Sequence, residues 1–417
     1  MTKIVLDVDT GIDDALALAY LLASPEAELL GMVGTYGNVL ADTAVRNNHE
    51  LLRLFGRPQV PVMSGAICPS WAPGFAVDEG CARFHGSNGL GNVRPADYMG
   101  DGRHGDVAGN VAKDGVVSAD GGAASAAVDG VESVAQTAEG TAESNAQTKS
   151  DDNDPHAAAV PMPSETIISV GGYPMSYAEA ARRQLPISWR SAAAPPAEGV
   201  QFIIDVVRRY GKDVIIVATG PMTDLDEATR LAPDIVPRLH AVIMGGALTQ
   251  EGNCYDLVCE TNIIQDPEAA DRLFRSGADI TMIGLDVTHQ CLLSRADTEA
   301  WRSADPAGSH RGAFLADMLR FYIAANEASD PIFASGSPLH DPLAVAVALD
   351  PTLVKTFPIN MKVELVTGDG HGVRGRTIGD AARLRDPQKS MRVALGVDAN
   401  RFIARIQDRL IRLCANR

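Results

Sequence analysis

KIVLDVDTGIDDALAL, residues 3–18, sets four carboxylates, Asp7, Asp9, Asp13 and Asp14, within eight positions directly behind an apolar run. Ile4, Val5 and Leu6 read as a buried strand, Gly11 marks a turn, and Ala15–Tyr20 continue at helical spacing. The stretch is therefore a βα unit with its polar turn at the carboxyl end of a first strand, where open α/β sheets bind ligands. Like charges this close raise one another's pKa and oppose folding unless a cation or a committed proton compensates them. A helix needs one N-cap, so capping accounts for one of these acids. The others ask for a metal or for acid–base work.

The rest of the chain extends the same pattern. Strand-like runs at Ile4–Asp9, Leu29–Thr35, Val214–Ala218, Ala241–Met244 and Ile280–Leu285 alternate with amphipathic segments at Ala41–Phe55, Val200–Tyr210, Pro267–Arg275, Gly312–Ala328 and Asp341–Leu349. Met361–Thr367 and Met391–Val397 read as late strands, and Asn400–Leu413 as a closing helix. Alternation of this kind predicts an α/β fold, a single domain with an open, mostly parallel, Rossmann-like sheet flanked by helices. One block departs from it. Residues 101–160 contain no Leu, Ile, Phe, Tyr, Trp or Met. Such a segment cannot bury enough apolar surface to offset its ordering entropy, so it reads as a disordered insertion within a domain spanning 1–417.

Bulk composition narrows the function. A net charge of -17 excludes a nucleic-acid polymer or an anionic membrane as partner and favours a small neutral or cationic ligand. The six cysteines include no CxxC pair, which suits reduced thiols in the cytosol, and Cys254 and Cys259 read as spectators rather than as a redox pair. No basic leader precedes a long apolar stretch, and no run approaches the ~18 apolar residues of a membrane span, so the chain reads as soluble and cytoplasmic.

Three further polar clusters sit at predicted strand ends or helix starts: GTYGNV with Asn38, VATGPMTDL with Thr219, and GSPLHDPLAVA with His340 and Asp341. If these ends share one sheet edge, Asp9, Asp14 and Asp341 converge with carbonyls near Thr219. Such an all-oxygen set suits Ca²⁺ or Mg²⁺ rather than zinc. Taken singly, Asp341 before Pro342 also fits a helix start, and Asp266 before Pro267 fits a cap.

DVDTGIDDALAL, YGNV, FHGSNGLG, ATGPMTDL, MGGAL, ETNIIQDPEAA and PLHDPLAV occur in the order seen in the inosine-uridine preferring nucleoside hydrolases, and RGRTIGD with VDANRF resembles that family's C-terminal part. The resemblance implies hydrolysis of the N-glycosidic bond of a ribonucleoside to ribose and free base, with bound Ca²⁺, in a homodimer or homotetramer. By motif, Asp9, Asp14, Asp341 and the carbonyl of Thr219 would hold the metal, and Asp9 would take the proton of the attacking water. Asp13, Asn38, Glu260 and Asn262 would bind ribose hydroxyls, with Met244 lining the sugar pocket. His85 and His340 would face the base, one of them protonating it.

These residue types suit an oxocarbenium-like transition state, in which anionic and hydrogen-bonding groups stabilise charge that the ground state lacks. A histidine can protonate the departing base near neutral pH. A lone loop histidine such as His85 can also simply satisfy backbone groups. Glu260 and Asn262, two apart on what reads as an extended piece, would share a face. Two rival readings remain. LDVDT fits a haloacid-dehalogenase-type phosphatase with Asp7 as nucleophile and Asp9 as acid, but leaves Asp13, Asp14 and the other motifs unexplained. A non-catalytic nucleoside-binding module would lack the water's base. The region FYIAANEASDPIF, with Tyr322 and Phe333, carries no clear signature for one base.

Overall fold

The computed structural model describes residues 1–99, 163–191, 194–254, 257–305, 310–366, 373–389 and 391–415. The insertion read at 101–160 lies outside the described residues. Everything described below belongs to one compact unit, Met1–Gly105 with Ser164–Arg417.

Eight strands form the main sheet: β1 (Thr2–Val8), β2 (Ala27–Gly34), β3 (Val62–Ser64), β4 (Val214–Ala218), β5 (His240–Met244), β6 (Asp279–Ile283), β7 (Val354–Ile359) and β8 (Met391–Val397). Their spatial order is β7-β8-β6-β5-β4-β1-β2-β3, with every pairing parallel except the edge pair β7–β8. Chain order reverses at β1: β2 and β3 build out on one side, β4 and its successors on the other. The turns after β1 and β4 therefore meet at the switch point where such sheets leave a crevice.

Burial on both faces explains why the central strands are continuously apolar. Ile4, Leu6 and Val8 of β1 pack with residues of the helices Ile12–Leu22, Arg311–Ser329, His340–Leu349 and Ala399–Ala415. Val5 faces the other way, into a core shared with Glu198–Tyr210, Thr223–Leu231 and Pro267–Arg275.

The predicted sheet and its flanking helices are present, with local differences. Ile280–Leu285 shortens to β6, because Leu285–Thr288 turns helical after the strand end. Met361–Val363 leaves the main sheet and pairs antiparallel with Thr377–Gly379. A four-stranded sheet of Tyr173–Ser176, Ile167–Val170, Gly74–Ala76 and Ile187–Trp189 was not legible, since its strands are three or four residues long and distant in sequence. Among the described residues no helix is long and apolar enough to cross a membrane.

Candidate active site

The turn after β1 is held by its neighbours. Asp14, in the first turn of Ile12–Leu22, accepts from its own cap, Gly11 N, at 2.8 Å, and from Thr219 Oγ1, at the end of β4, at 2.6 Å. Asp9 accepts from Asn38 N at 2.7 Å and Asn38 Nδ2 at 3.2 Å, which ties the turn to the segment after β2. Only glycine fits at position 37, where φ is +152° and a Cβ would collide with the Asp9 carboxylate.

Asp341 arrives at the start of His340–Leu349, and Asp13, Asp14 and Asp341 each bring a carboxylate oxygen within 4.8 Å of the other two. All three are buried, and Asp13 Oδ1 and Asp341 Oδ2 have no hydrogen-bond partner. Burial pushes Asp13 and Asp14 up to about 6, and lifts Asp341 well above the carboxylate range, with the neighbouring acids adding to it. Asp9 lies outside this trio, its oxygens turned to Asn38, but burial and the charges of Asp14 and Asp13 raise it as well. Two buried carboxylate oxygens aimed at no donor, in an all-oxygen group, are what a hard cation would occupy.

Glu260, Asn262 and Met244 stand on the other side. Glu260 and Asn262 do not lie on an extended piece: Glu260 caps the short helix Thr261–Gln265, accepting from Asn262 N, Ile263 N and Gly246 N at 2.9, 3.1 and 2.9 Å. A carboxylate facing three orphan amides favours that turn over a strand. Burial nevertheless pushes its pKa up to about 7. Asn262 Nδ2 donates to the Thr219 carbonyl at 2.7 Å and the Met244 carbonyl at 3.1 Å, leaving its Oδ1 for a ligand.

These groups open on a cavity of about 420 Å³, lined by Asp13, Asn38, Thr219, Met244, Glu260, Asn262, Asp341, His85 and His340, together with Tyr322, Asn326, Phe333 and His289. His85 accepts from Ile12 N through Nδ1 at 3.2 Å, so its backbone-satisfying role is real and its proton sits on Nε2. Burial lowers it to about 4, and its 3.8 Å approach to Asp13 is therefore no ion pair at neutral pH. His340 Nδ1 shares a hydrogen bond with Thr288 Oγ1 at 2.8 Å, and burial, then His289 and His85, hold it far below the usual histidine range.

Sequence reading missed His289, whose ring packs 5.7 Å from His340 and 5.3 Å from Phe333. It missed Thr288 as well, and Asp286, which accepts from Leu248 N, Thr249 N and Gln250 N and so shapes the rim. Their signal was available: all three follow β6 as Asn38 follows β2. Asp266 caps Pro267–Arg275 as expected. Asp7 points to the Val5 face of β1, fully buried against Asp224 and away from the cavity, so it cannot be a phosphatase nucleophile.

A family model described as inosine-uridine preferring nucleoside hydrolase matches residues 4–404. The purine-preferring ribonucleoside hydrolase from Gardnerella vaginalis is similar at 40% identity, with 99% of each chain covered and a TM-score of 0.70. The inosine-uridine preferring nucleoside hydrolase of Leishmania major is 26% identical over 99% of this chain and 98% of its own length. The pyrimidine-specific ribonucleoside hydrolase RihA of Klebsiella pneumoniae subsp. pneumoniae is 28% identical over 98% and 97%.

Proposed function

The chain belongs to the inosine-uridine preferring nucleoside hydrolase family, and from that premise we propose that it hydrolyses purine ribonucleosides in preference to pyrimidine ones, with a single Ca²⁺ as cofactor. The observation that carries the site is the trio of buried carboxylates, Asp13, Asp14 and Asp341, gathered at the switch point of the sheet beneath a nucleoside-sized cavity. The purine preference rests on the likeness to the purine-preferring Gardnerella hydrolase.

In this reading Asp9, Asp14, Asp341 and the Thr219 carbonyl would hold the cation, Asp13 touching it from the ribose side, and the cation would supply charge that acidifies a water and offsets the carboxylates. Asp9, kept in place by Asn38, accepts the proton of the attacking water. Asp13, Asn38, Glu260 and Asn262 bind the ribose hydroxyls, and the Met244 thioether packs on the sugar. Their anionic and amide groups stabilise positive charge that develops on the ribose only as the bond breaks. His85, with its proton on Nε2, donates to the base, and His340 delivers the proton the leaving base needs. Both rings rest neutral in the cavity, so His340 first takes a proton from solvent and hands it on to the departing base as an imidazolium, while the neutral His85 Nε2–H hydrogen-bonds the base.

A panel of inosine, adenosine, guanosine, uridine and cytidine with 2'-deoxy controls, read as reducing sugar released, tests reaction and preference together. Purine ribosides should lead and deoxy analogues should fail. Calcium analysis should find about one ion per chain, as one oxygen-ligand site requires. A homodimer or homotetramer in the cytoplasm completes the proposal, to be read by light scattering and fractionation.

A further inference from the structure

We propose that Cys254 and Cys259 form a reversible intrachain disulfide at the mouth of the cavity, with hydrogen peroxide as the oxidant, and that this bond resets the turn that carries Glu260.

The two residues pair across an isolated antiparallel bridge, with Asn253 N and Cys254 N both donating to the Cys259 carbonyl at 3.0 and 3.3 Å. Their sulfurs lie 3.5 Å apart, and Cys254 Sγ also reaches the Cys259 carbonyl at 3.1 Å. A disulfide at about 2.05 Å needs only about 1.5 Å of further approach. Arg376 holds the loop at both ends, donating to Gln250 O at 3.0 Å and Val258 O at 2.9 Å, so the thiols meet without a search. A spectator reading does not explain two thiols presented to each other in this way.

Access belongs to Cys254 and the lowered thiol to its partner Cys259. Cys254 is half-buried and lines the cavity, its thiol raised first by its hydrogen bond to Cys259 and then by burial; Cys68, Cys81, Cys291 and Cys414 are buried and pushed up by burial, with no second thiol presented to them among the described contacts. Cys259 is shifted the other way: the Cys254 S–H lowers it first, Tyr173 and the Arg376 charge assist, and burial and Glu260 oppose. A thiolate of the pair attacks the peroxide O–O bond, gaining one oxygen as a sulfenic acid and releasing hydroxide, which takes up a proton. The second thiol then displaces that oxygen as water while the S–S bond forms. Two thiols and one hydrogen peroxide give one disulfide and two waters, the sulfurs losing the two electrons that the peroxide gains.

The consequence follows from position. Cys259 directly precedes Glu260, whose carboxylate fixes Gly246, Asn262 and Ile263. Drawing Cys259 toward Cys254 displaces that cap and with it the proposed ribose contacts. The disulfide itself is independent of the proposed hydrolysis; only this kinetic clause rests on it.

The full-length protein is treated with hydrogen peroxide, quenched, alkylated and digested with trypsin. Cys254 and Cys259 share one tryptic peptide, 239–272, which contains no other cysteine. We expect that peptide two hydrogens lighter and unalkylated, the other four thiols still alkylated, and full reversal by dithiothreitol. C254S should instead leave a sulfenic acid on Cys259 that dimedone traps. KM for inosine should shift by about 10-fold on oxidation, since a displacement of ~1 Å at a positioning group costs up to about 10²-fold. Retention of both thiols, separate over-oxidation of each, or cross-linked chains would overturn the disulfide. A disulfide with unchanged kcat and KM on any ribonucleoside the enzyme turns over would overturn its coupling to Glu260.

Discussion

Thr219 donates its hydroxyl to Asp14 across 205 positions of sequence, at 2.6 Å, while its carbonyl accepts from Asn262 at 2.7 Å. One residue at the end of β4 thus links the acidic turn after β1 to the Glu260 helix. Both proposed halves of the site, cation and ribose, hang on the sheet's switch point.

Asp14→Asn tests the cation half. The amide can still accept from Gly11 N and donate to Thr219, so the turn survives, but one buried like charge disappears. Activity should fall by at least about 10³-fold, of the order expected when several kcal/mol of charge stabilisation is lost. In chelator the variant should melt no lower than the parent, and calcium should no longer raise its Tm. A parent protein fully active after exhaustive chelation would sink the cation proposal.

Proton linkage gives a second test. Asp13 and Asp14 are raised from 3.8 to about 6 and Glu260 from 4.5 to about 7, so the cation-free fold holds these protons more tightly than the unfolded chain does. Their contribution to stability is full below about pH 4 and lost as pH rises through about 6 to 7. The lowered His85 acts in the opposite sense, being a cost that grows as pH falls from 6.5 toward 4. Comparing calcium with chelator removes that common histidine background. The calcium-induced rise in Tm should grow steadily from pH 5 to pH 7 and then level off, because calcium competes with protons for the carboxylates. A rise independent of pH would refute the assignment of Asp13 and Asp14 to the cation's surroundings.

The composition of 101–160 yields a third expectation. Replacing it with a short Gly/Ser linker should leave Tm within a few degrees, since closure cost grows only logarithmically with loop length. Differential scanning calorimetry decides. A large drop in Tm would show that the segment supports the body.

Much of this site was legible because its residues sit at strand ends, where apolar runs stop and acids begin. Asp14, Asn38 and Thr219 follow main-sheet strands in this way, and Asp341 stands instead at the start of the apolar helix His340–Leu349. Glu260 was recognisable as a residue but not in its conformation, because an extended stretch and an N-cap followed by one helical turn look alike over three positions. His289 and Thr288 escaped because Leu285 prolongs the apolar run of β6, and only the folded chain shows where the strand stops. The Cys254–Cys259 approach was invisible for a different reason: a bridge between loop residues carries no periodicity.

Leaving-group activation separates the histidines. If His340 delivers the proton, His340→Ala should lower kcat on inosine by about 10² or more, the usual worth of a positioned general acid. A p-nitrophenyl riboside leaves as a stable anion and should be turned over nearly as before. Thr288→Val, which removes the hydroxyl bonded to His340 Nδ1, should follow the same pattern at about a tenth of the size, because it frees the tautomer without removing the ring. Asp9→Asn offers the contrast, since losing the base for water should harm both substrates alike. Equal losses on both substrates in His340→Ala would show that the histidine serves Asp341 and the fold rather than the base. A selective loss on inosine in His85→Ala alone would move the acid to the ring whose Nδ1 is already committed to Ile12 and whose Nε2 carries the proton.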